Sequence, residues 1–140
     1  MKVNELMIGD WVYNKHHGKN IKLTPYDFFT HTHNEFGEQE LAPFAKPTIG
    51  RDLEPIPLAK VHLTKNGFKV REETDDTEFY YYDCYEINVS FNEGLPEEDI
   101  PPVTFLTIEF EEKSLCMPIE YLHELQQAMR FMGCDKEIEL

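Results

Sequence analysis

Pro118-Ile-Glu-Tyr-Leu-His-Glu-Leu-Gln-Gln-Ala-Met-Arg-Phe-Met-Gly133 decides how the second half of the chain folds. Leu122, Leu125, Met129 and Met132 recur at steps of three, four and three, which puts them on one apolar stripe of a helix. Pro118 suits the first helical position, where its missing N–H costs nothing. Gly133 suits the residue just past the end, where the backbone turns left-handed. The sequence therefore predicts a C-terminal helix over 118–132. A helix with one apolar stripe needs a surface to cover, and the preceding residues supply it.

Phe79 to Phe91 reads as one strand, in which Tyr85, Ile87, Val89 and Phe91 alternate with Glu86, Asn88 and Ser90. Val103 to Phe110 is the next, with Leu106, Ile108 and Phe110 on one face, and Ser114 to Met117 is a short third. Leu58 to Asn66 reads as a short helix that ends at Gly67, with Leu58, Val61 and Leu63 facing inward and the helix bridging the two halves. Asn92 to Pro102 is an acidic, proline-rich connection, and Glu137 to Leu140 alternates like an edge strand. The fold class that follows is α+β. Residues 58–140 form a mostly antiparallel sheet covered by the C-terminal helix.

The first half carries a different signature. Gly9-Asp10 turns the chain into the β-rich run Trp11-Val12-Tyr13, and Lys15 to Asn20 reads as a hairpin turn before Ile21-Lys22-Leu23. Thr24-Pro25 could start a short helix, but the β-branched and aromatic residues favour a turn followed by a strand over Phe28 to His33, and Glu35 to Pro57 reads as a long loop that hides one short strand. Residues 1–57 are thus expected to form a small β-barrel-like, SH3-like unit, and the two units could share one compact domain.

Charge divides the chain the same way. Residues 1–70 hold nine Lys/Arg against eight Asp/Glu, whereas residues 71–140 hold four against nineteen. An acidic half opposes nucleic-acid binding, because phosphates need clustered cations. It suits a basic protein partner, whose approach it would accelerate. No run of apolar residues is long enough for a membrane span, and the opening Met1-Lys-Val-Asn-Glu-Leu6 has no apolar core of a signal peptide. Cys84, Cys116 and Cys134 are odd in number and widely spaced, which points to a reducing cytoplasm rather than a disulfide framework.

Three groups invite a chemical reading. His123-Glu124 sits on the C-terminal helix, but a zinc protease motif requires a second imidazole four residues after the first, and that position is Gln127. His123 is expected to flank the stripe and hydrogen-bond locally. His31 and His33 share one face of a strand, so both rings could reach one metal, with Asp27 and Glu35 at the same parity. Phe79-Tyr-Tyr-Tyr82 and Tyr85 could stack bases, but the carboxylates around them make a packing role the better reading. The sequence assigns no catalytic residue, no cofactor-binding residue and no metal ligand, and leans away from an enzyme.

Leu53-Glu-Pro-Ile-Pro-Leu58 running into Lys65-Asn-Gly-Phe68, and Tyr121-Leu-His-Glu-Leu-Gln126 running into Lys136-Glu-Ile138, are two distinctive stretches. Met1-Lys-Val-Asn-Glu-Leu6 with Ile8-Gly-Asp-Trp-Val12 is a third. Together they resemble a group of small proteins of anaerobic gut bacteria, often carried on prophage or other mobile elements. The resemblance implies no activity and no catalytic residue. Ala59 stands where that group often has Thr or a similar cap, so the short helix should start less firmly. The expectation is a non-enzymatic accessory or interaction protein whose acidic half, the 92–102 connection above all, meets a basic protein. The alternatives are a metal-dependent enzyme built on His31 and His33, and an acidic nucleic-acid mimic that blocks a DNA-binding protein.

Overall fold

The structure is a computed structural model that describes residues 6–24, 29–33, 39–43, 53–73, 77–82 and 86–140. The chain is α+β and divides into two compact units, Met1–Ile56 and Pro57–Leu140.

In the first unit, β1 (Trp11–Asn14) lies between β2 (Lys19–Lys22) and β5 (Leu53–Pro55), both antiparallel to it. The turn before β1 is tied at both ends. The Asp10 carboxylate accepts the Met7 N–H at 2.8 Å, and the Leu23 N–H donates to the Asp10 carbonyl at 2.8 Å. Asp10 is fully buried, so these bonds offset the cost of hiding its polar atoms. Leu6, Val12, Leu23 and Leu53 make the core of this unit. A separate antiparallel pair joins β3 (Phe29–His33) to β4 (Gln39–Pro43). The stretch 35–57, read from sequence as a loop with one hidden strand, holds two strands among its described residues, β4 and β5. Each is too short for alternation to stand out among its prolines.

The second unit is a five-stranded antiparallel meander. Its strands are β6 (Lys69–Glu73), β7 (Thr77–Tyr82), β8 (Ile87–Asn92), β9 (Val103–Phe110) and β10 (Lys113–Ile119). The stretch expected as one strand from Phe79 to Phe91 is a hairpin, because Tyr82 pairs with Ile87 across the turn. Glu86 has a left-handed φ of 47° at the end of that reversal. No glycine or proline marks the turn, and the alternation resumes in β8, so the break is silent in the sequence.

One row across the sheet runs Tyr80, Val89, Leu106 and Met117; the next runs Tyr82, Ile87, Ile108 and Leu115. Val89, Ile87, Leu106 and Ile108 on this face are fully buried. The opposite face carries Tyr81, Asn88, Thr107 and Cys116 in a single row, all at least partly accessible.

Among the described residues two α-helices accompany the sheet of this unit, α1 (Lys60–Lys65) and α2 (Leu122–Phe131). Leu122, Leu125, Met129 and Met132 are each 2 % exposed or less, so the stripe is sealed as expected. The helix starts four residues later than its predicted first position. Pro118 belongs instead to the edge strand β10, opposite Phe105, where a missing N–H leaves no ladder partner unsatisfied. The start is set by Glu124, whose carboxylate accepts the N–H groups of Glu120 (2.7 Å) and Tyr121 (3.0 Å). The end is a Schellman motif: Gly133 has φ 86°, Cys134 N–H donates to the Met129 carbonyl, and Gly133 N–H donates to that of Arg130.

Helix α1 ends in the same way at Gly67, with Phe68 N–H donating to the Leu63 carbonyl. It is shorter than the expected 58–66. Ala59 supplies no side-chain cap, and the His62 Nδ1 instead accepts the Ala59 N–H at 3.1 Å. Leu63 is fully buried, but Val61 is 52 % exposed, so it does not face inward. The C-terminal residues do not add a strand. Asn66 clamps them, accepting the Glu139 N–H and donating to the Glu139 carbonyl, both at 2.8 Å, while Ile138 is buried.

Candidate functional site

The connection between β8 and β9, Asn92 to Pro102, is a folded loop. The Asn92 side chain accepts the Gly94 N–H at 2.8 Å and donates to the Thr77 hydroxyl at 3.1 Å, which fixes the loop's first residues against β7. Leu95 and Ile100 then pair as a short antiparallel bridge, exchanging hydrogen bonds of 2.9 and 3.0 Å. Pro96–Glu98 form a single 3-10 turn between them, and Asp99 closes it with a left-handed φ of 56°. Gly94 is buried with φ 73°, and a Cβ there would lie 2.6 Å from the Pro101 carbonyl carbon, so only glycine lets the two ends of the loop come this close.

What the loop presents is specific in chemistry. Glu93, Glu97, Glu98 and Asp99 are all exposed, and no cation lies between Asn92 and Pro102. Leu95 and Ile100 flank the acidic tip and are each 46 % exposed. The result is a braced acidic knob with apolar shoulders. Asn92 and Gly94 are the residues that sequence reasoning missed; the Asn-x-Gly spacing was the available signal.

Other groups singled out from sequence fall into structural roles. Glu124 spends its carboxylate on the start of α2, so it is no general base for His123. The His123 ring stacks on Tyr121, with centroids 5.9 Å apart and planes at 10°. Its Nδ1 is buried and finds no hydrogen-bond partner among the described residues. Tyr80 packs edge-on against Phe91, and its hydroxyl donates to Glu78 at 3.1 Å. Tyr82 lies against Phe68, and Lys136 sits over its ring. Tyr80 and Tyr82 are thus taken up by packing and surface pairs, whereas Tyr81 lies on the opposite face of the sheet.

Glu78 also pairs with Lys60 at 2.7 Å. That contact holds the Glu78 carboxyl below its ordinary value and lifts the Lys60 ammonium above its own. Burial lowers the His62 imidazole, and Lys65 adds to the effect; the neutral ring is the form that accepts the Ala59 N–H. Cys116 is an exposed free thiol, and Cys134 is buried, which raises its pKa above the usual thiol range.

The backbone of β3 places His31 opposite Leu41 and His33 opposite Gln39, two positions apart on one strand. Their side chains lie outside the described residues, as do Asp27 and Glu35. Among the described residues no group of three or more His, Cys, Asp or Glu side chains could hold a metal ion. None of the described helices is long and apolar enough to cross a membrane. Comparison with family models, with curated proteins and with solved structures finds no match to the chain.

Proposed function

We propose that this protein is a non-enzymatic accessory protein of a mobile element that acts in the cytoplasm by binding a basic protein through its 92–102 loop. The observation that carries this reading is the loop's construction. Four exposed carboxylates are held on a backbone that is already hydrogen-bonded and braced by Gly94. A pre-ordered loop loses little conformational entropy on binding, and its charge would steer a cationic partner toward it. The free thiols of Cys116 and Cys134 suit a reducing compartment. The first unit reads as SH3-like: the strand order β2-β1-β5 together with a β3–β4 pair supports that topology, which by itself carries no function.

The test is affinity capture from the native host by the wild-type chain and by the Glu97→Gln, Glu98→Gln, Asp99→Asn variant. Loss of a partner in the neutralised variant, and loss from the wild type at raised salt, are the expected results. Equal capture by both chains overturns the reading. If the captured protein binds DNA and duplex DNA displaces it, the loop works as a nucleic-acid mimic.

A further inference from the structure

The outward face of the five-stranded sheet carries a groove of about 640 Å³ that the acidic loop does not line. Tyr81, Asn88 and Thr107 form its floor as one row across β7, β8 and β9. Glu109 and Glu86 also line it, as does Arg71. The backbone is irregular at two of these positions. The register of β6 against β7 slips between Val70 and Glu72, so Arg71 is the extra residue of a bulge, a device that re-aims a side chain. Glu86 sits at φ 47°, a conformation that a residue with a Cβ adopts at a cost. Among the described residues the side chains of Arg71, Tyr81, Glu86, Asn88 and Glu109 make no hydrogen bond or ion pair with one another. Arg71 is one of only four Lys/Arg in residues 71–140, and it lines the groove together with Glu86 and Glu109.

We infer that this groove binds a neutral polyhydroxylated ligand, a short stretch of oligosaccharide. A guanidinium sharing the groove with two carboxylates rules against either simple ion: an anion meets Glu86 and Glu109 within an acidic half, and a cation meets Arg71. Hydroxyl groups both donate and accept, so adjacent ring hydroxyls satisfy the carboxylates, the guanidinium and the Asn88 amide together. The half-buried Tyr81 ring offers a surface for the C–H face of a sugar ring. The volume lies within the roughly 300–1,000 Å³ usual for small-ligand sites, and the open groove suits a segment of a longer chain.

The groove stands apart from the loop, and its binding is tested on the full chain by NMR. Maltotriose, cellotriose, mannotriose and triacetylchitotriose are titrated to millimolar concentration, with L-arginine and citrate as charged comparisons. The expected result is that at least one trisaccharide shifts the Asn88 side-chain amide and the Arg71 Nε–H. Arg71→Ala, an exposed substitution, should then weaken binding about tenfold while leaving the rest of the spectrum in place. Bound sugar should also slow alkylation of Cys116, which lies beside Thr107 and accepts its hydroxyl at 3.7 Å. Absence of shifts with all four sugars, shifts that persist unchanged in Arg71→Ala, or tighter binding of L-arginine or citrate each overturns it.

Discussion

The two faces of the five-stranded sheet differ more than their shared backbone suggests. Ile108 and Thr107 are neighbours on β9, yet Ile108 is sealed in the core and Thr107 lines an open polar groove. One face is completed by the chain itself, with the stripe of α2 equally sealed. The other leaves polar groups of the groove without partners among one another. A face whose needs are met inside the chain accounts for stability, whereas the groove and the acidic loop hold polar groups toward solvent, where the proposed contacts would be made.

The largest effect should come from breaking the closed face. Leu125→Asp places an unpaired charge where Leu125 is fully buried, which costs several kcal/mol, about the whole stability of a small domain. Circular dichroism should show the second unit unfolded, and native melting would mean the stripe does not hold the core. Ile108→Ala should cost about 2–5 kcal/mol in a denaturant titration, whereas the adjacent Thr107→Ala should stay within about 0.5 kcal/mol. Equal costs would erase the distinction between the faces.

A smaller gain is available at the β9–β10 turn. Glu111 and Glu112 both have positive φ, 46° and 65°, in a two-residue hairpin closed by Phe110 and Lys113. Such turns favour Asn-Gly, so Glu111→Asn with Glu112→Gly should stabilise by about 1 kcal/mol, read as a higher melting temperature. An unchanged melting temperature would show that the turn stores no strain.

The smallest effect is a pH dependence. His62 has a folded pKa below its ordinary 6.5, so folding favours the neutral ring. Its contribution is complete above pH 6.5 and is lost as pH falls through the folded value, when protonation removes the acceptor for the Ala59 N–H. His62→Gln keeps an acceptor without titrating, so between about pH 7.5 and 5.5 its melting temperature should fall less than that of the wild type. Parallel falls would assign the acid sensitivity elsewhere.

The closed face was the legible one. Burial imposes a period, and that period alone places Leu122, Leu125, Met129, Met132, Ile87, Val89, Leu106 and Ile108 in the core. Gly67 and Gly133 gave the ends of both helices, because left-handed backbone selects glycine. The helix starts were harder to read: Ala59 and Tyr121 lack capping side chains, and the caps come from His62 and Glu124 inside the helices. The open features left almost no trace. The turn at Glu86 and the bulge at Arg71 break the backbone without breaking the alternation. Hydrogen bonds to Asn92 and Asn66 depend on partners that only the fold brings near.

If the 92–102 loop binds because it is already formed, Gly94→Ala should abolish binding. The substitution strains the φ of 73° and drives a Cβ into the Ile100–Pro101 backbone while leaving all four carboxylates in place. Capture of the basic partner by Gly94→Ala, by the neutralised triple variant and by Asn88→Ala should be compared with capture by the wild-type chain. Capture should be lost with the first two variants and stay at wild-type yield with the third. Full capture by Gly94→Ala, in a protein whose amide spectrum shows the loop rearranged, would contradict it.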